Sequence, residues 1–327
     1  MKYKTNLNNC VQQLLNNRWL QAIFIVIISL VVYFQFRNFG QEAIDVFNLS
    51  KPWKLFLAFP FVIYSLVAHA FAWKVILNRL GEDLNIFTAL YVYYLSGILR
   101  YIPGNYWYII LRSLIGVKAG INLKAGLKGT GIELVINLTV GMLLALVGTF
   151  FGVKLNSQQI KWILLFALIS IVFFSILYVV AKKAKAMENK TTTFNISSYT
   201  SELLWIKNLD FKDLLILTLL FSSAWFSQGM GFYFILSAWG KLSLTNFPLI
   251  MFAYVTAWVI GFLNPLTPNG FGVRESVFMI AIASIVTMPI GYSASLVMRI
   301  LVIIGEALLA LLGWLIIKKK KEVHLII

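Results

Sequence analysis

The sequence predicts an all-α, polytopic membrane protein of about six full transmembrane helices and two re-entrant, or short paired, helical hairpins. Three observations carry that expectation. Of 327 residues, 60% are hydrophobic and 12% are charged, a balance foreign to soluble domains. Several apolar runs approach or exceed the length of ~20 residues needed to cross a bilayer. Two stretches at membrane depth are interrupted by proline and glycine, and arginines flank the interruptions.

The elements follow in order. A run at 19–36, preceded by Lys2, Lys4 and Arg18, is too long for a signal-peptide core and lacks a small-residue cleavage site, so it reads as the first span. Runs at 53–77, 127–151, 161–181, 213–239 and 291–317 supply five more. Between them lie 86–99 and 105–115, which as helices reach only about 21 and 16 Å against a hydrocarbon core about 30 Å thick. A hairpin folding back at Pro103-Gly104 fits them better than two crossings. The pair 247–263 and 275–289 is joined by a segment with two prolines, two glycines and an arginine, and reads as a second hairpin, with two tilted spans as the alternative.

Charge placement supports this topology. Of the 28 basic residues, 19 fall on the side of the N-terminus, 6 on the other, and Arg100, Arg274 and Arg299 within membrane segments. By the positive-inside rule both termini are cytoplasmic, in the cytoplasmic membrane. The polar interval 182–212 is then a cytoplasmic linker within a single domain, 1–327, whose halves, about 1–152 and 160–317, form an inverted-topology repeat. Many transporters use such repeats to build a midplane site between broken helices.

The net charge of +16 belongs to these loops and to anionic lipid headgroups rather than to nucleic acid. One cysteine and two histidines exclude a disulfide framework and a Cys- or His-rich metal site. No metal, no cofactor and no catalytic residues are expected.

The ionisable residues inside membrane segments are the candidate site, because each costs about 2.5–3.5 kcal/mol at a helix centre unless paired or in a cavity. Glu133 shares a helix face with Thr130, Asn137 and Gly141. Arg299 and Glu306 share another with Ser295 and Gly313, so these two spans each carry a polar stripe after a hairpin. One reading pairs these charges to fix helix packing. The other gathers Arg100, Arg112, Arg274 and Arg299 around a headgroup phosphate. Helix N-termini restarting after the breaks at Pro103, Gly104 and Asn105, and at Pro268, Asn269, Gly270 and Gly272, would add backbone N–H groups. The acidic residues Glu133, Glu275 and Glu306 complete the set. His69, facing Ser65 one turn away, reads as a hydrogen-bonded packing residue, with a proton relay as the alternative. The polar side of 213–239, with Ser227 and Gln228, reads as helix interface, with cavity lining as the alternative.

Arg100-Tyr101-Ile102-Pro103-Gly104 with Trp107, Arg112 and Glu133 resembles the first signature of the lysylphosphatidylglycerol synthase transmembrane-region family. Pro268-Asn269-Gly270-Phe271-Gly272-Val273-Arg274-Glu275, followed by Ala294 and Arg299, is similar to the second. The resemblance covers nearly the whole chain. It implies a flippase-like membrane protein, some relatives moving aminoacylated phosphatidylglycerol between leaflets and others being linked to lipid-carried sugars. Asn269-Gly270-Phe271-Gly272 replaces the more usual Gly-Gly-Leu-Gly, and Asn105 replaces a second glycine after Pro103. The soluble aminoacyl-transferase domain of the bifunctional relatives does not follow, so aminoacyl transfer is not expected.

The expected function is therefore translocation of a phosphate-bearing lipid or lipid-linked glycan intermediate. The partners are that anionic substrate, membrane lipids and envelope-biosynthesis proteins. The alternatives are a membrane enzyme acting on polyprenyl phosphate or a lipid-linked sugar, and an accessory scaffold of an envelope glycan-assembly complex. Enzymatic chemistry would have to draw on Glu133, Glu275 and Glu306, or on Glu42 and Asp45 in an early loop.

Overall fold

A computed structural model describes residues 51–97, 100, 107–153, 157, 161, 164–165, 168, 210–264 and 267–324. The first span at 19–36, most of 161–181, nearly all of the linker at 182–212 and the first break with Pro103, Gly104 and Asn105 lie outside the described residues.

The described chain is helical throughout. Its helices are α1 (Lys54–Arg79), α2 (Ile86–Gly97), α3 (Trp107–Lys118), α4 (Leu123–Phe150), α5 (Phe211–Leu236), α6 (Phe247–Leu263), α7 (Val273–Ile282) and α8 (Met288–His324). Five are long and apolar enough to cross a bilayer: α1, α4, α5, α8, and α6 together with the 3₁₀ turn that leads into it. The sequence expectation of short elements beside the first break holds, since α2 and α3 have 12 residues each, about 18 Å of helix. The second pair is unequal. Helix α6 with its turn reaches 20 residues, whereas α7 stops at 10.

Surface polarity is reversed relative to a soluble protein. Phe56, Phe71, Phe150, Leu219, Ile304 and Leu311 point outward, while Arg112, Glu133, Gln228, Glu275 and Glu306 are buried. That distribution suits a hydrocarbon solvent. Helix contacts rely on small residues, as expected where no water drives association. Helix α1 packs along α5, α8 along α2, and α6 along both α4 and α7. A β-carbon on Gly229 of α5 would meet Met251 of α6 at 2.7 Å, and one on Gly148 of α4 would meet Phe252 at 2.7 Å. Gly313, expected to extend the polar face of α8, instead admits the backbone of Phe87 and Tyr91 from α2.

Where α1 meets α5, Arg79 bonds Asp213 at 2.7 Å. Asp213 also accepts from the backbone N–H of Asp210 at 3.1 Å, completing a capping box at the start of α5.

Candidate functional site

The stripe on α4 is a ladder of acceptors. The Trp73 indole N–H donates to Thr130 Oγ1 at 3.1 Å, the Tyr93 hydroxyl to Glu133 Oε1 at 2.8 Å, and the Trp225 indole N–H to Asn137 Oδ1 at 3.1 Å. These donors come from α1, α2 and α5, so the stripe fixes three neighbours against α4. The partner types were not legible in the sequence, since the indoles sit 57 and 88 residues from their acceptors.

Arg112 of α3 supplies the charge that Glu133 needs. Its Nη1 donates to Glu133 Oε2 at 2.8 Å, and its side chain is 1% exposed against 4% for the glutamate. The guanidinium carbon lies 3.7 Å from the Tyr93 ring centroid and 5.1 Å from that of Tyr108, a cation–π enclosure. Nε reaches Ser96 Oγ at 3.3 Å. Arg112 borders the cavity described below, but its hydrogen bonding is directed to protein.

The expected face on α8 is split between two partners. Arg299 Nη2 bonds Glu275 Oε1 of α7 at 2.6 Å, and Arg100 Nη2 bonds Glu306 Oε1 at 2.6 Å. Arg299 and Glu306 therefore do not pair with each other, although seven residues of helix put them on one face. Glu275 Oε2 accepts from the Gly272 N–H at 2.7 Å. The N-terminus of α7, expected to offer N–H groups to an anion, is thus capped by its own third residue.

Among the described residues, the first half contributes Arg112 with Glu133 and the second Glu275 with Arg299. In each, the member nearer the break comes first in sequence, and the sign is exchanged. Arg100–Glu306 is the cavity pair that bridges the halves.

The second break is shaped around backbone contact. Gly270 has φ +66°, and a β-carbon there would lie 2.7 Å from the Gly261 carbonyl oxygen of α6. Asn269 has φ 50°, the left-handed region that asparagine tolerates best after glycine. Gly261 in turn leaves room for Arg274, whose Cγ a β-carbon there would overlap.

These elements line a partly open cavity of about 140 Å³, many times the one-probe volume of roughly 10–15 Å³ that a single water needs. All four arginines singled out in the sequence border it, with all three glutamates and Asn269. Its aromatic wall is the cluster of Trp225, Tyr254 and Trp258, with Trp225 centroids 5.9 Å from Tyr254 and 4.8 Å from Trp258. His69 also borders it, bonded through Nδ1 to the Ser65 carbonyl at 2.8 Å and set edge-on to Trp225.

Four guanidinium groups face three carboxylates, and the three carboxylates are taken by Arg100, Arg112 and Arg299. Arg274 remains. It makes no ion pair among the described residues; its guanidinium carbon lies 5.7 Å from the centroid of the Trp258 ring. Its Nε is buried without an acceptor, as is Nη1 of Arg299. Buried donors left unmade cost about 1–3 kcal/mol each, more when charged, so the cavity calls for oxygen acceptors with negative charge.

Fold and cavity together define a polytopic helical membrane protein with an arginine-rich chamber beside the break that precedes α7. The family model for the lysylphosphatidylglycerol synthase TM region matches residues 21–312. The chain belongs to that family, which points to a flippase-like, lipid-related role in the membrane. No curated protein matched the chain.

Proposed function

We propose that the protein translocates a phosphate-bearing lipid, or a lipid-linked glycan intermediate, across the cytoplasmic membrane, with both termini in the cytoplasm and without covalent chemistry. The observation that carries this reading is the pair of acceptor-less buried donors, Arg274 Nε and Arg299 Nη1, in a chamber with one more arginine than glutamate. A phosphate supplies both the charge and the multiple oxygens that guanidinium groups bind best. Arg100 and Arg299 have neighbouring carboxylates that a phosphate can replace, whereas Arg112 serves as the support beneath them. Each glutamate is bound to an arginine, which disfavours a general base and hence the enzymatic alternative.

The test is lipid translocation in reconstituted vesicles. Arg274→Lys keeps the charge but loses the planar donor fork. Loss of a charge-assisted bond worth about 1.5–3 kcal/mol lowers transport tenfold or more, while expression is kept. Lys241→Ala, in the exposed loop before α6, changes little. Wild-type transport by Arg274→Ala would sink the phosphate reading and leave the accessory scaffold ahead.

A further inference from the structure

His69 of α1 borders the cavity, and its ring is held by one polar contact. Nδ1 lies 2.8 Å from the Ser65 carbonyl oxygen, one turn back on the same helix. A carbonyl can only accept, so Nδ1 carries hydrogen and the lone pair of the neutral ring sits on Nε2. Two rings of α5 fix the imidazole from the side, Phe221 at 5.6 Å and Trp225 at 5.8 Å between centroids. Nε2 makes no hydrogen bond to another described residue. A proton acceptor thus stands in the chamber wall, fixed in orientation and not engaged by the described protein.

The surrounding charges decide when that acceptor fills. Arg100, Arg112, Arg274 and Arg299 border the cavity with Glu133, Glu275 and Glu306, which leaves one positive charge in excess. Each glutamate is bound by an arginine. Of the helices packed against α1, α2 presents Tyr93 and Tyr94 to the cavity, α4 presents Glu133, and α8 presents Arg299 and Glu306. Helix α5 presents Trp225, Gln228 and Phe232, none of which titrates. The tyrosines there, with Tyr108 and Tyr254, are phenols, which ordinarily lose a proton only near about pH 10. Among the described residues on this wall, His69 has the side chain that ordinarily exchanges a proton between about pH 5 and 8. A second ring proton would double the excess of positive charge and find no acceptor among the described residues. A phosphate reverses both effects, because its negative charge cancels the excess and its oxygens can accept from an Nε2–H group.

We infer that His69 is a proton-binding site coupled to the phosphate site: Nε2 takes a proton from water when a phosphate headgroup enters the chamber and returns it when the headgroup leaves. The bound species is headgroup plus proton, which lets a pH difference across the membrane drive the lipid's passage. This coupling deepens the phosphate reading and rests on it. By linkage, whatever the phosphate adds to proton affinity the proton adds to phosphate affinity. Phosphate binding is therefore tightest where the ring is protonated. It weakens as pH rises, until the ring is neutral in the complex as well.

The experiment is equilibrium binding of phosphatidylglycerol by the purified full-length protein in uncharged detergent, between about pH 5 and 8. This lipid is a phosphodiester, so its single negative charge stays constant over that range. The wild type binds it about fivefold or more tightly at the acid end than at the alkaline end, the lower bound usual for two coupled sites. A pH indicator in weakly buffered solution records proton uptake as the lipid binds. His69→Gln keeps a donor for the Ser65 carbonyl but cannot take a charge. It binds as the wild type does at the alkaline end, and its binding is flat with pH. Thermal unfolding identifies whether this variant is folded, and the wild-type measurements stand without it. Wild-type binding that is flat with pH, or that occurs without proton uptake, overturns the inference. So does a pH dependence that persists in folded His69→Gln, which places the proton on another group. Arg274→Gln separates the two readings. If it leaves phosphatidylglycerol binding unchanged, the phosphate site itself fails. If it weakens binding while the wild type is flat with pH, only the proton site fails.

Discussion

Arg274 lies against the bare backbone of Gly261, one helix earlier, where a β-carbon would overlap its Cγ. The contact sets the path of the side chain from α7 toward the cavity. A methyl group on residue 261 would collide with Arg274 Cγ, close to the root of the side chain, so Gly261→Ala forces the whole arginine to move. The expected result is a lower thermal midpoint together with a severalfold loss of lipid retention in the protein that remains folded. Wild-type retention in that variant would show that Arg274 reaches its ligand by another path.

Arg299 is expected to depend on Glu275. Arg299→Ala leaves Glu275 with only its bond from the Gly272 N–H and lowers folded yield, because an unpaired buried charge is costly. Adding Glu275→Gln restores part of the yield, whereas adding Glu306→Gln or Glu133→Gln does not. Fluorescence-detected size-exclusion profiles of the four variants decide this, and rescue by Glu306→Gln would refute the observed pairing.

The Arg112–Glu133 pair is the most deeply buried of the cavity ion pairs. Removing one member of such a pair costs about 3–5 kcal/mol. Arg112→Ala is therefore expected to lower the thermal midpoint of the purified protein sharply, and the double variant Arg112→Met, Glu133→Gln to recover much of it. A folded, stable Arg112→Ala that merely loses transport would return Arg112 to the role of direct phosphate ligand.

Orientation is tested by cysteine labelling in intact cells, in a Cys10→Ser background. Cysteines at Lys124, Lys190 and Val323 are expected to be protected from a membrane-impermeant reagent, and one at Lys241 to react. Reaction at Lys190 would overturn the hairpin at 86–115 and the inverted repeat with it.

The membrane character, the second helix break and the charged residues that border the cavity were legible in the sequence, because charge in apolar surroundings is conspicuous. Partner choice was not. Spacing on α8 placed Arg299 and Glu306 together, yet each binds a residue from another helix, and no local periodicity encodes which helix lies across the chamber. The aromatic wall was equally hidden, since Trp225, Tyr254 and Trp258 are ordinary among so many apolar residues. Gln228, on a face that reads as helix interface or cavity lining, borders the chamber and accepts there from the Tyr254 hydroxyl. Gly261 and Gly270 reveal their role only when their backbones are seen in contact.

Arg100 and Glu306 are separated by 206 residues and hold the chamber's two sides together at 2.6 Å. Separating them would leave Glu306, 9% exposed, without the arginine that binds it, a costly state for a buried charge. The pair is therefore a clasp between distant parts of the chain: it ties the segment before the first break to the last helix.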